Sequence, residues 1–121
     1  MVDTTLTQGG VYLARLNPAK EAEIGKVRPV VILTTQYLLQ KSVPIVFICP
    51  LSRLSYPQLK ALHVELPARD NLHVSSYALT EHCRAIAIER ILQPRLAQLS
   101  FNELQNITAC LNVMISLEQN F

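Results

Sequence analysis

The stretch Glu23-Ile24-Gly25-Lys26-Val27-Arg28-Pro29-Val30-Val31-Ile32-Leu33 sets the frame for the rest of the chain. It begins charged and glycine-hinged and ends as a continuous β-branched run, so it reads as an exposed loop feeding a strand buried on both faces. Arg28 precedes a proline, which pushes its backbone out of the helical region into an extended conformation. Two cations, Lys26 and Arg28, are thereby delivered to the start of a rigid strand, where oriented charge acts well on an anion.

Upstream, Val11 to Leu16 alternates with period two between Gly9-Gly10 and Asn17-Pro18, the pattern of a half-buried first strand. Residues 1–8 are polar and without period and are expected to form a mobile arm, leaving 9–121 as a single domain. Between Asn17 and Lys26 the residues are charged or turn-forming, and Gly25 supplies backbone freedom there.

Downstream, Thr34 to Ser42 admits a short helical turn. Ile45 to Cys49 then forms a strand that Pro44 and Pro50 should confine to about five residues. Leu54 to Lys60 reads as a loop, and His63 to Leu66 as a strand stopped by Pro67. Ser76 to Thr80 and Arg84 to Ile88 read as two further short strands. Ser100-Phe101-Asn102-Glu103 is a capping box that starts a helix at Ser100. Along that helix Phe101, Leu104, Thr108, Leu111 and Ile115 make one stripe, with Ile107 and Met114 widening it, while Cys110, Val113 and Leu117 lie opposite. This distribution predicts burial on more than one side. The whole is expected to be mainly β, a small barrel of antiparallel strands with a C-terminal helix.

Composition narrows the function classes. A chain of 121 residues that is 50% hydrophobic can bury one core without staples. No uncharged apolar run is long enough to span a bilayer, and no signal-peptide pattern opens the chain, so a cytoplasmic protein without membrane contact is expected. Cys49, Cys83 and Cys110 lack ligand spacing, which predicts buried free thiols, no metal site and no cofactor. A net charge of +2 is small, so the placement of the cations matters more than their sum.

Cleaving RNA without a metal requires the ribose 2′-hydroxyl to attack the adjacent phosphate, with cations or donors where negative charge develops. Arginine suits that role through paired, charge-assisted hydrogen bonds to phosphate oxygens, which makes Arg28 the first candidate. Ser52 stands just past the second apolar strand, where its hydroxyl can donate to a phosphate oxygen. His63, His73 and His82 are scattered, and any of them could serve as a base. Taken singly, each of these residues also fits a plain structural role, and no general base follows from spacing.

Read in order, Gly10-Val11-Tyr12, Asn17-Pro18, Glu23 to Ile32, Cys49-Pro50-Leu51-Ser52, Ser76 to Arg84 and Glu89-Arg90-Ile91 resemble the MazF/PemK family of toxin endoribonucleases, from about Gly9 to the C-terminus. The resemblance implies an SH3-like barrel, a homodimer and metal-independent cleavage of single-stranded RNA. It also implies neutralisation by a cognate antitoxin. It matches Arg28 to the family's catalytic arginine and Ser52 to a position that usually holds threonine; Lys26, Arg53, Arg84 and Ser76 become candidate RNA contacts. Val11, Asn71, His82 and Ala87 depart from the family pattern. A contrasting reading is a toxin of CcdB type that acts by binding a protein such as gyrase, with its activity in the terminal helix.

Overall fold

The computed structural model describes residues 5–17 and 26–117. Its elements run β1 (Gly10–Arg15), β2 (Val27–Ile32), α1 (Gln36–Leu39), β3 (Ile45–Ser52), β4 (His63–Leu66), β5 (Ser76–Leu79), β6 (Arg84–Ala87), β7 (Ile91–Gln98) and α2 (Phe101–Ile115). A 3-10 segment at Pro57–Leu62 precedes β4. The strands form one antiparallel seven-stranded sheet in the order β4-β5-β3-β2-β1-β7, with β6 paired to β3. The expected mainly β class and terminal helix are present. The sheet does not close on itself, since β4 and β7 stand at opposite ends of the strand order.

Alternation along β2 builds two cores. Val30 and Ile32 pack with Tyr12, Ala14, Leu16, Val46, Ile48 and Ile86 on one face. On the other, Val31 packs with Val11, Cys49, Leu51, Leu66, Ala97 and Ile107. The continuous apolar run of β2 is therefore buried on both sides, and that burial fixes its register, because a one-residue slip would exchange the faces. Helix α2 covers the second core through Ile107, which is fully buried.

Pro50 was expected to end β3, but the strand runs on to Ser52. The chain changes partner at that point. Up to Pro50 it pairs with β2, as Val30↔Pro50, Val31↔Cys49 and Ile32↔Ile48, and beyond it Leu51 and Ser52 pair with Ala78 and Tyr77 of β5. A residue without an N–H is tolerated where a ladder ends.

Strand β7 is an addition to the expected set. Its Gln93, Pro94 and Arg95 break the apolar period, and its pairing with β1 shifts register between Val11 and Leu13. Of the expected arm, residues 5–8 are docked rather than free. Leu6 is 4% exposed within the first core, and Gln8 donates its backbone N–H to Gln36 Oε1 at 2.9 Å and its side-chain amide to the Leu33 carbonyl at 3.0 Å. The rest of the arm lies outside the described residues, as do Gly25 and most of its loop. Helix α2 also turns differently from its expected stripe. The inward face is Leu104, Ile107, Cys110 and Leu111, whereas Phe101 is 74% and Leu117 96% exposed. Among the cysteines only Cys49 is fully buried; Cys83 and Cys110 are half-buried.

Candidate functional site

Strand β2 is held along its first half by β1, with Ala14 opposite Arg28 and Leu13 opposite Pro29. Its ladder to β3 covers only Val30–Ile32. Continuing that register by two places sets Arg28 across from Ser52, at the point where prolines 29 and 50 offer no N–H to extend the pairing. The strands part there, and a cleft of about 500 Å³ opens. Arg28 and Ser52, both half-buried, face this cleft together with the exposed Lys26 and Arg53. A second hollow of about 480 Å³ is bordered by Arg28, Ser52, Arg53 and Leu54, so three of these side chains serve both spaces.

The local chain conformation supports this placement. Lys26 takes a left-handed φ of 69°. Its N–H donates to Asn17 Oδ1 at 2.8 Å, and its carbonyl accepts from Leu16 N at 2.8 Å. Arg90, part of the family-like pattern, donates from Nη1 to the carbonyls of Arg15 and Asn17 and so braces the base of the same loop. At the opposite wall the Ser52 hydroxyl oxygen accepts from Leu54 N at 3.1 Å, which leaves its proton available to a ligand.

A third wall comes from the connection between β4 and β5, which contributes Asn71, Leu72, His73, Val74 and, at the start of β5, Ser76. This connection turns at Asp70, whose φ is 48°, and is closed by an Arg69↔Leu72 bridge. Arg69 ties it to α2 through a bidentate pair with Glu103, with Nη1 to Oε1 at 2.6 Å and Nη2 to Oε2 at 2.5 Å. The Arg69 guanidinium beside it holds the Glu103 carboxyl below the usual carboxylate range, and the same carboxylate accepts from Ser100 N in the capping box. Asn71 N–H reaches the Leu96 carbonyl of β7 at 2.9 Å. Leu13, Val27, Pro29, Leu51 and Leu96 supply the apolar lining.

Five of the six residues expected at a site therefore meet in one cleft: Arg28, Ser52, Lys26, Arg53 and Ser76. Ser76 is 4% exposed and donates its hydroxyl to the Val74 carbonyl at 3.0 Å, so it shapes the wall from within. Arg84 stands apart. It lies on β6 opposite Ile48, outside both cleft linings, with Nη1 buried and unpaired among the described residues. Of the histidines, His63 is 2% exposed at its side chain and is held between Ser55 Oγ at 2.7 Å and Glu81 Oε2 at 2.8 Å. His82 lies 4.0 Å from Glu81. Only His73 reaches the cleft. Asn71 stood out only as a departure from the family pattern and Val74 carried no sequence signal, because the Arg69–Glu103 pair that brings their loop in spans 34 residues. Among the described residues, no group of histidine, cysteine and acidic side chains is arranged to hold a metal ion. Nor is any helix there long and apolar enough to cross a membrane.

Comparison with known proteins places the fold. The fold is similar to that of MazF from Deinococcus radiodurans, with TM-score 0.79 at 23% identity, covering 95% of this chain and 100% of that one. It is also similar to a MazE–MazF complex from the same organism, with TM-score 0.72 at 20% identity and coverage of 96% and 100%. An endoribonuclease in complex with its cognate antitoxin, from a mycobacterial species, matches with TM-score 0.68 at 14% identity, over 98% of this chain and all (100%) of the other. The family model described as PemK-like, MazF-like toxin of type II toxin-antitoxin system matches residues 7–115, so the chain belongs to the PemK/MazF toxin family.

Proposed function

We propose that the protein is the toxin of a type II module and acts as an endoribonuclease on single-stranded RNA, without a metal cofactor. The observation that carries this reading is the meeting of Arg28 and Ser52, from neighbouring strands, in a cleft whose charged lining residues among those described are cations. Such a cleft attracts a phosphodiester backbone and tracks it without reading sequence, through Lys26 and Arg53. Arg28 faces the scissile phosphate and offsets the charge that grows on its non-bridging oxygens, where a planar guanidinium makes paired hydrogen bonds. Ser52 donates to the same phosphate and fixes its orientation. Attack by the 2′-hydroxyl then leaves a cyclic phosphate and a free 5′-hydroxyl. The exposed apolar side chains Val27 and Val74 give the bases a surface to lie on.

Partners follow from family membership and from charge. One similar structure is a MazE–MazF complex and another an endoribonuclease with its cognate antitoxin. The same cationic cleft suits an acidic antitoxin segment that folds on binding and excludes RNA. A homodimer is expected, with exposed apolar side chains such as Phe101, Val113 and Ile115 of α2 available to bury.

Induction in a bacterial host tests the reading. Growth arrest with degraded RNA is expected from the native chain, and neither from the Arg28→Ala, Ser52→Ala double variant. Arrest that persists in the double variant would instead support a toxin that binds a protein target and would overturn the nuclease assignment.

A further inference from the structure

Resting on the nuclease reading above, we infer that His73 is the general base that activates the 2′-hydroxyl. The inference comes from what the cleft contains. Its titratable or charged side chains are Lys26, Arg28, Arg53 and His73, and no carboxylate is among the lining residues described. Lysine and arginine hold their protons near neutrality, and a serine hydroxyl does not take one, whereas imidazole changes charge between about pH 5 and 8. His73 is therefore the proton acceptor this lining provides. It is exposed, and it enters from the β4–β5 connection, a segment separate from the strands that carry Arg28 and Ser52. The base and the phosphate-binding pair thus reach one cleft from different segments, so a phosphate held by the pair shares that space with the base.

The step balances without a further reagent. A His73 ring nitrogen takes the 2′-hydroxyl proton as O2′ forms its bond to phosphorus. The bond from phosphorus to O5′ breaks, O5′ gains a proton from water, and the imidazolium returns its proton to solvent. The charged groups that line the cleft with the imidazole are Lys26 and Arg28 from β2 and its approach and Arg53 beyond β3; its own connection also carries Asp70, outside the lining, and Arg69, which is paired with Glu103, and β7 contributes the uncharged Leu96. The anchoring of the connection by Arg69 and Glu103 holds the base in place.

The test is the pH dependence of kcat/KM on a fluorogenic RNA oligonucleotide containing a cleaved site, with folding checked by thermal melting. The native protein should gain activity with rising pH through the histidine range. His73→Ala should lose roughly 10²- to 10⁴-fold at neutral pH and lose the acid limb. Added imidazole should restore part of the rate to His73→Ala and none to Arg28→Ala, while His73→Gln, which keeps a hydrogen-bonding group but takes no proton, should stay low. Glu21→Gln and Glu23→Gln serve as comparators, because both carboxylates lie outside the described residues. An unchanged acid limb in His73→Ala, or its loss in either glutamate variant instead, would overturn the assignment of His73 while leaving the nuclease reading intact. A folded native protein that cleaves no RNA would overturn that reading and this inference with it.

Discussion

Under the proposed function Arg28 and Ser52 divide the work on one phosphate, so their substitutions should differ in size. Loss of a guanidinium that stabilises developing charge costs roughly 10²- to 10³-fold in rate. Arg28→Ala should fall at least that far. Ser52→Ala, which removes one neutral donor, should lose less, and Ser52→Thr, which keeps the hydroxyl, should retain most activity in the same kinetic assay. That each of these residues sits at a strand end was legible because local rules reach them. Pro29 sets the backbone at Arg28, and the end of an apolar strand marks Ser52. His73 was visible only as one of three scattered histidines, and nothing in its neighbourhood separates it from His63, whose imidazole is consumed by Ser55 and Glu81. Ser76 shows the opposite limit, since a cleft position inferred from resemblance turned out to hold a hydroxyl already committed to Val74.

Helix α2 does two jobs, covering the second core and anchoring the cleft's third wall. Ile107→Ala should destabilise by roughly 2–5 kcal/mol, because the residue is fully buried and its loss leaves a cavity. The Arg69–Glu103 pair joins the helix to the β4–β5 connection, so Arg69→Ala should cost on the order of 1–3 kcal/mol in stability and weaken cleavage by loosening His73. Its pH dependence has a definite sign. Glu103 titrates below its ordinary value in the folded chain, chiefly through its bond from Arg69. The contribution of the pair is therefore complete above the usual carboxylate range and fades as pH falls through the lowered folded value. Denaturant titrations of native and Arg69→Ala protein should differ at neutral pH and converge on acidification; a gap that does not narrow would contradict the role given to Glu103. The start of this helix was readable from Ser100 and Glu103 alone. Its inward face was not, because apolar side chains surround much of its circumference and only the packing selects Leu104, Ile107, Cys110 and Leu111. Strand β7 escaped for a related reason, since Pro94 and two polar neighbours hide a segment that is defined by pairing with β1.

Across the whole molecule, the two cores on either side of β2 and β3 explain how a chain of 121 residues supports an open cleft at one end of its central strands. The sheet is stapled at Gly9, whose N–H donates to the Ile32 carbonyl at 2.7 Å and whose carbonyl accepts from Leu99 N at 2.9 Å, at a φ of +82° that strains any other residue, with a Cβ there 2.7 Å from Gln98 Nε2 and 2.9 Å from Leu104 Cδ1. Gly9→Ala should lower stability by roughly 1–3 kcal/mol in a thermal or denaturant melt. Thiol chemistry gives an independent check of the packing. The Cys49 thiol, whose sulfur lies 3.8 Å from the Pro50 carbonyl that accepts from it, is pushed up by the neighbouring Cys83 and by burial, while Cys83 is brought down by Cys49 and burial pushes Cys110 up. Native alkylation should therefore label Cys83 before Cys49. Fold class was open to reading at this scale because alternation and turn residues mark six of the strands. The unclosed sheet order and the convergence of three walls depend on contacts between residues far apart in sequence. Under the proposed function, the Arg28–Ser52 cleft cleaves RNA by its own side chains. The most direct test is mass spectrometry of mixed-sequence RNA incubated with purified protein in excess EDTA. Fragments with cyclic phosphate and 5′-hydroxyl ends are expected from the native protein and intact RNA from Arg28→Ala; cleavage that chelation abolishes, or that Arg28→Ala performs equally well, would contradict metal-independent catalysis by this cleft.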